Sequence, residues 1–283
     1  MNSFVNSFGL EADDMKTILS IFAAHPEIES AVLYGSRATG RFKPGSDIDL
    51  VLTGKNLTNQ IVLDVRVELD DSDVPYMFDI VAENEIKDEN LKQEIAKTGQ
   101  VFYMRVPTEQ DWADYITLDE MTAKKNFFGK TLEEAEELFV ENALWYQEDI
   151  LWMHSAPFRY YVHAYINYLL GKQSEHDTDA ATCFLDLIEL KAGLYQEAPR
   201  TIWERIKETV ELTFIKWILR TPGHTVNFGG SRDYEQDDLR AVWLRVKETI
   251  EHIRNNPVWF DWNESLYGNL EARATRLLAW DGE

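Results

Sequence analysis

The chain has 283 residues, of which 45% are hydrophobic and 12% aromatic, enough apolar material for one large or two ordinary cores, which excludes a disordered chain. Its 50 Asp and Glu against 28 Lys and Arg leave a formal charge of −22, which argues against long duplex or single-stranded nucleic acid as the main partner, because such ligands draw basic surfaces and gain affinity by counterion release. No apolar run approaches the roughly eighteen residues that cross a bilayer, residues 1–5 lack the basic start and apolar run of a signal peptide, and a single cysteine, Cys183, cannot form an internal disulfide, so no membrane partner and a reducing, cytoplasmic setting are expected.

The first informative segment is Ala31, Val32, Leu33 and Tyr34, a short apolar strand running into Gly35-Ser36. A glycine there lets the backbone approach a ligand closely, and the neighbouring N–H groups and hydroxyl are suited to phosphate oxygens. A Gly-Ser after a strand is by itself an ordinary turn. It gains weight from the segment ten residues downstream, Gly45-Ser46-Asp47-Ile48-Asp49-Leu50-Val51-Leu52, a second strand with two carboxylates two residues apart. That spacing projects Asp47 and Asp49 from one face while Ile48 and Leu50 project from the other. Adjacent carboxylates repel unless a cation lies between them, and Mg²⁺ accepts one or two carboxylates while completing its shell with water and phosphate oxygens. A third apolar segment, Tyr76-Met77-Phe78-Asp79-Ile80-Val81, carries one acid in its middle, which would be costly to bury without a partner. Asp79 is therefore the expected third carboxylate.

Through Gly35-Ser36-Arg37-Ala38, Ser46-Asp47-Ile48-Asp49-Leu50 and Asp79, the chain resembles the DNA polymerase β-like nucleotidyltransferase superfamily, and within it most closely the minimal nucleotidyltransferase branch. The motifs cover about the first hundred residues. The resemblance implies that Gly35 and Ser36 bind nucleotide phosphates, that Asp47 and Asp49 ligate two Mg²⁺ ions, and that Asp79 helps ligate one metal and activates the acceptor hydroxyl. It further implies a nucleoside triphosphate co-substrate, ATP first among them. Arg37 is expected to contact phosphate, with Arg41 and Lys43 as weaker candidates that surface solvation explains equally well. The implied reaction is in-line attack of an acceptor oxygen on the α-phosphorus with pyrophosphate leaving.

Near residue 106 the pattern changes from strands to helices, with Val106–Trp112 as the expected linker, which divides the chain into a nucleotidyltransferase domain at 1–105 and a helical domain at 106–283. The expected fold class is α+β: a small mixed sheet with flanking helices, followed by an all-α part. Apolar residues from Leu132 to Met153 recur at helical spacing, giving a helix of about twenty residues from Thr131. Further helices are expected over 158–170, 179–194, 201–220, 236–254 and 264–280. The aromatic set Trp145, Tyr146, Trp152, Phe158, Tyr160, Tyr161, Tyr165 and Tyr168 reads as core or dimer interface in preference to a ligand platform. Trp203–Glu211 echoes in Trp243–Glu251, with a Gly-rich loop over 221–232 between them as the expected substrate-facing segment of this half.

Other signals fail. Gly129-Lys130-Thr131 lacks the earlier glycine of a phosphate-binding Walker loop, which would fall at Lys124. Arg159 to His163 and Arg220 to His224 are spaced too closely for the ribonuclease motif of the HEPN partners of minimal nucleotidyltransferases. Glu141 and Glu148 are better explained as solvated helix faces than as a general base.

Two readings remain. The first is an enzyme whose helical domain closes the acceptor side, sets specificity and offers a homodimer surface; its layout is similar to aminoglycoside nucleotidyltransferases, and its acidity suits a cationic acceptor. The acceptor is then a small molecule such as an aminoglycoside-like antibiotic, or a protein. The second is an antitoxin or regulatory interaction module built on the same domain, which the intact set of Gly35, Ser36, Asp47, Asp49 and Asp79 disfavours.

Overall fold

The computed structural model describes residues 8–113, 117–153, 155–194 and 232–280. The expected helix over 201–220, the first copy of the echo, the Arg220–His224 pair and nearly all of the Gly-rich loop lie outside those residues. The chain divides into two compact units, Met1–Pro107 with Thr131–Glu133, and Thr108–Lys130 with Glu134–Glu283.

In the first unit the chain runs α1 (Ala12–Ala24), β1 (Ser30–Tyr34), α2 (Gly35–Ala38), β2 (Ile48–Thr53), α3 (Asn59–Asp70), β3 (Phe78–Ala82), α4 (Glu89–Thr98) and β4 (Gln100–Met104). The four strands form one mixed sheet in the order β3-β2-β1-β4, antiparallel on both sides of β1 and parallel between β2 and β3. The alternation read from the sequence is the alternation the sheet uses. Ala31, Leu33, Ile48, Leu50, Leu52, Ile80 and Phe102 all lie on one face, packed with Met15, Ile18 and Phe22 of α1 and Val62, Val65 and Leu69 of α3. The other face carries a smaller apolar patch of Tyr34, Val51 and Ile86, against which Val81 and the α4 residues Leu91 and Ile95 pack. The lightly covered face is the one from which Asp49 and Asp79 project. Helix starts are set locally: the Thr58 hydroxyl accepts the Ile61 N–H to begin α3, and the Asp88 carboxylate accepts the Asn90 N–H to begin α4.

The second unit is helical throughout its described residues: α5 (Leu118–Phe127), α6 (Leu132–Trp152), α7 (Ser155–Leu170), α8 (Thr178–Lys191), α9 (Arg232–Asn255), α10 (Glu264–Tyr267) and α11 (Leu270–Leu278). Two helices differ from the sequence expectation. The long α6 is interrupted at Asn142, whose backbone is extended and whose side-chain oxygen accepts the Trp145 N–H, so this Asn caps a new start inside an otherwise continuous apolar pattern. The helix expected over 264–280 is two helices, because Gly268 adopts φ +80 and Asn269 caps the second through the Ala272 N–H. The expected linker is also more than a linker. Thr108 and Asp111 form a capping box on a short 3₁₀ turn that delivers Trp112, 1% exposed, against the ring of Tyr161.

Most of the aromatics are core. Phe139 and Tyr165 stack at 4.7 Å with rings nearly parallel, and the buried hydroxyls of Tyr161 and Tyr165 donate to the carbonyls of Phe127 and Ala180. Trp145 is the exception, an exposed ring on α6. Cys183 is buried in α8, as a small core residue. Arg273 of α11 reaches Asp186 and Glu189 of α8, at 2.5 and 3.1 Å, joining the end of the chain to the middle of the bundle through buried carboxylates. Among the described residues no helix is long and apolar enough to cross a membrane.

His163 in α7 is 1% exposed, and burial, followed by the charge of Arg245, pushes its pKa down to about 3. It is thus neutral in the folded state, while the unfolded imidazole titrates near about 6.5. Its contribution is fully present above that value and is lost as pH falls toward about 3, with a slope of up to about 1.4 kcal/mol per pH unit. We expect urea unfolding to show stability falling across this window, and His163→Leu to flatten that acid limb.

Candidate active site

The site is built on one cross-strand row. In the β1/β2 register Tyr34 stands opposite Asp49, and in the β2/β3 register Asp49 stands opposite Asp79, so the three side chains line up on the lightly covered face. Asp47 immediately precedes β2 and is exposed, Asp49 is half-buried and Asp79 is exposed on the edge strand β3.

Gly35 follows Tyr34 directly and opens the single-turn helix α2, where the sequence suggests a simple turn. It has φ +70, and a Cβ built there would sit 2.5 Å from Asp49 Oδ2. Both observations require glycine: the backbone conformation is one that side chains disfavour, and the missing methyl is the space the Asp49 carboxylate occupies. The Gly-Ser turn and the Asp-x-Asp strand are therefore in direct contact. Around Ser36 the backbone is well held. Thr39 Oγ1 donates to the carbonyls of Gly35 and Ser36, Arg41 N–H donates to Ser36 O at 2.9 Å, and Gln100 Nε2 donates to Ala38 O at 2.7 Å.

Arg37 does not take the expected place. It is 3% exposed, and its guanidinium donates from Nη1 to the Phe8 carbonyl, from Nε to the carbonyls of Ser46 and Asp47, and from Nη2 to Ser46 again. The same group lies over the rings of Phe42 and Tyr76. A guanidinium with all three nitrogens directed at main-chain carbonyls is a brace for the loop that carries Asp47, where the resemblance implies a phosphate contact. Arg41 remains on the exposed loop, with Nε on Thr39 Oγ1, and Lys43 is exposed beside Ser46. Glu141 and Glu148 both lie on α6, in the second unit.

The charges reflect how crowded the row is. The Asp49 pKa is raised first by partial burial, then by Asp79 and Asp47, with Arg37 opposing and Glu94 adding a smaller push. Burial, then Asp79, Asp49 and Glu94, pushes the Tyr34 phenol up to about 12, which keeps it a neutral donor beside the carboxylates. The motifs alone do not mark Tyr34 or Glu94 as site residues. Strand pairing across Asp49 is the signal that finds Tyr34; nothing local marks Glu94, which arrives on α4.

The donor set is of the kind Mg²⁺ accepts: hard carboxylate oxygens of Asp49 and Asp79 on adjacent strands. Among the described residues no three His, Cys, Asp or Glu side chains converge into a ready-made metal cage.

Residues 16–108 match the family model described as "Polymerase beta, Nucleotidyltransferase". No curated protein matches the sequence. A solved structure described as "Crystal structure of the toxin-antitoxin with AMP-PNP" aligns over 46% of this chain and 98% of its own, at 17% identity and a TM-score of 0.28.

Two outcomes test this geometry. Gly35→Ala should destabilise the fold by roughly 1–3 kcal/mol through backbone strain and displace Asp49, so that nucleotide binding falls together with stability in calorimetry. Arg37→Met should cost about 3 kcal/mol or more in urea unfolding, because buried carbonyls lose their donors, and should lower nucleotide affinity only to the extent that the loop loosens.

Proposed function

From a polymerase β-type nucleotidyltransferase domain over residues 16–108, we propose that this protein is a Mg²⁺-dependent nucleotidyltransferase. It transfers a nucleoside monophosphate from a nucleoside triphosphate, ATP first among them, to a hydroxyl group of an acceptor, and releases pyrophosphate. The acceptor is a small molecule, such as an aminoglycoside-like antibiotic, or a protein. The observation that carries the reading is the contact of Gly35 with Asp49 in register with Asp79, because it places the Gly-Ser turn directly against a row of carboxylates.

Each residue has a definable part. Gly35 lets the backbone come against the triphosphate, and the Ser36 hydroxyl donates to a phosphate oxygen. Asp47 and Asp49 present oxygen ligands from the start of β2, with the loop braced by Arg37. Mg²⁺, when bound by these carboxylates, supplies the positive charge that offsets charge on the phosphates as the transfer proceeds. The acceptor oxygen attacks the α-phosphorus in line, the bond to the pyrophosphate oxygen breaks, and Asp79 takes the acceptor proton. The neutral Tyr34 phenol keeps another negative charge off the row.

The acidity of the chain fits this chemistry better than template-directed synthesis, since a long nucleic acid would be repelled. The test is incubation with Mg²⁺ and each α-labelled nucleoside triphosphate, alone and with cell extract separated into protein, RNA and small molecules. Label is expected in the small-molecule or protein fraction and should fall at least about a hundredfold in Asp47→Asn. Metal-dependent nucleotide binding that is equal in wild type and an Asp47→Asn, Asp49→Asn double variant would sink the proposal.

A further inference from the structure

Arg66 lies on α3, whose apolar side, Val62, Val65 and Leu69, packs on the core face of the sheet, away from the carboxylate row. Its side chain nevertheless passes around the edge of the sheet. Nη2 donates to the main-chain carbonyl of Ile80, and the same nitrogen stands 3.7 Å from Asp79 Oδ1. Among the described residues β3 is an edge strand, paired with β2 alone, so its position depends on what holds its open side.

Three features argue against a purely stabilising role. The pair with Asp79 is half-exposed on both sides, 41% and 63%, and an ion pair that open adds little to stability. At 3.7 Å the contact is electrostatic and leaves the carboxylate oxygens without a hydrogen bond from Arg66, so they stay available to another cation. Nε is buried with no hydrogen-bond partner, a cost that a residue selected for packing alone would avoid. The guanidinium is thus anchored on the backbone of β3 by one hydrogen bond, with the same nitrogen 3.7 Å from Asp79 Oδ1.

We propose that Arg66 is a positioning residue for Asp79: it fastens the edge strand through the Ile80 carbonyl and orients the Asp79 carboxylate toward a divalent cation without closing on it. This rests on the reading of Asp79 as a metal-facing carboxylate, and it adds a residue from a different element to that site. Groups that orient a ligating carboxylate from behind typically change metal affinity by about 10–100-fold when removed.

The experiment is an Mn²⁺ titration followed by electron paramagnetic resonance, with the full chain saturated by a non-hydrolysable ATP analogue, for wild type, Arg66→Met, Arg66→Lys, Asp79→Asn and the Arg66→Met, Asp79→Asn double variant. A tighter and a weaker Mn²⁺ are expected in wild type. Arg66→Met should weaken the weaker ion by about tenfold and leave the tighter one unchanged. Arg66→Lys, which keeps the charge and one donor, should recover part of that loss. Asp79→Asn should remove the weaker ion, and the double variant should match Asp79→Asn, since Arg66 acts through Asp79. Unchanged Mn²⁺ binding in Arg66→Met overturns the inference, and so does tighter binding, which would make Arg66 only a competing charge. Equal loss of both ions with a lowered melting temperature, or an additive double variant, also overturns it. Wild type that binds no Mn²⁺ with nucleotide sinks the nucleotidyltransferase reading itself, whereas wild type with two ions and an unaffected Arg66→Met sinks only the role of Arg66.

Discussion

The contact between residue 35 and the Asp49 carboxylate is the constraint from which the first unit is organised. Only a residue without a Cβ can stand at φ +70 with Asp49 Oδ2 in the place its methyl would take. Once that contact is fixed, the antiparallel register of β1 with β2 sets Tyr34 beside Asp49, and the parallel register of β2 with β3 sets Asp79 on the other side. The heavy core of α1 and α3 lies entirely on the opposite face, so the row is backed by rigid packing while its own face is covered only in part by α4. Rigid support behind and an open approach in front is what a positioning site requires.

The electrostatics derive from the same row. Neighbouring strands lie about 4.8 Å apart, and two carboxylates at about 5 Å repel by roughly 3 kcal/mol if the local response resembles an effective dielectric of about 20. Asp47 and Glu94 add to this, as the raised Asp49 pKa reflects. The basic groups nearest the row do not cancel it. Arg37 is committed to main-chain carbonyls of Phe8, Ser46 and Asp47, and Arg66, anchored on Ile80, stands at the Asp79 end of the row. The fold therefore uses these two arginines to hold the acidic row in shape while offsetting only part of its charge.

Much of this is legible in the sequence, and the parts that are not share a cause. Strand parity makes the burial of Ile48 and Leu50 and the opposite projection of Asp49 readable, because period-two alternation is a local property. The helical second half is readable from the period of its apolar residues. Arg37 misleads because its neighbours in sequence suggest phosphate, whereas its partners are Phe8 and Ser46, which the fold brings from both sides. A planar fork is the side chain that serves several convergent carbonyls, so an arginine after Gly-Ser has a structural explanation that spacing alone does not display. Arg66 and Glu94 escape notice for the same reason: each sits on an amphipathic helix where a charged residue is unremarkable until the sheet places it. The division of the last expected helix at Gly268, and the break in α6 at Asn142, show that a continuous apolar pattern fixes which face is buried but leaves open how many helices present it.

The net charge adds a constraint on how such a site is filled. A nucleoside triphosphate is itself strongly anionic, and a chain at −22 offers it no long-range attraction. Among the described residues, the loop after the Gly-Ser turn carries Arg41 and Lys43 as exposed cations, and the one arginine in the motif is buried. If the site takes a triphosphate as proposed, attraction would come from short-range elements that act only on contact: the amides and hydroxyl at the turn, and a divalent cation held by the carboxylate row. Such a site would discriminate by coordination geometry more than by charge, and a bare polyanion without a metal would meet only the turn's amides and hydroxyl to offset its own repulsion. In the proposed reaction that same field would favour a cationic acceptor, so the donor's affinity and the acceptor's attraction would be governed by different physics within the first unit.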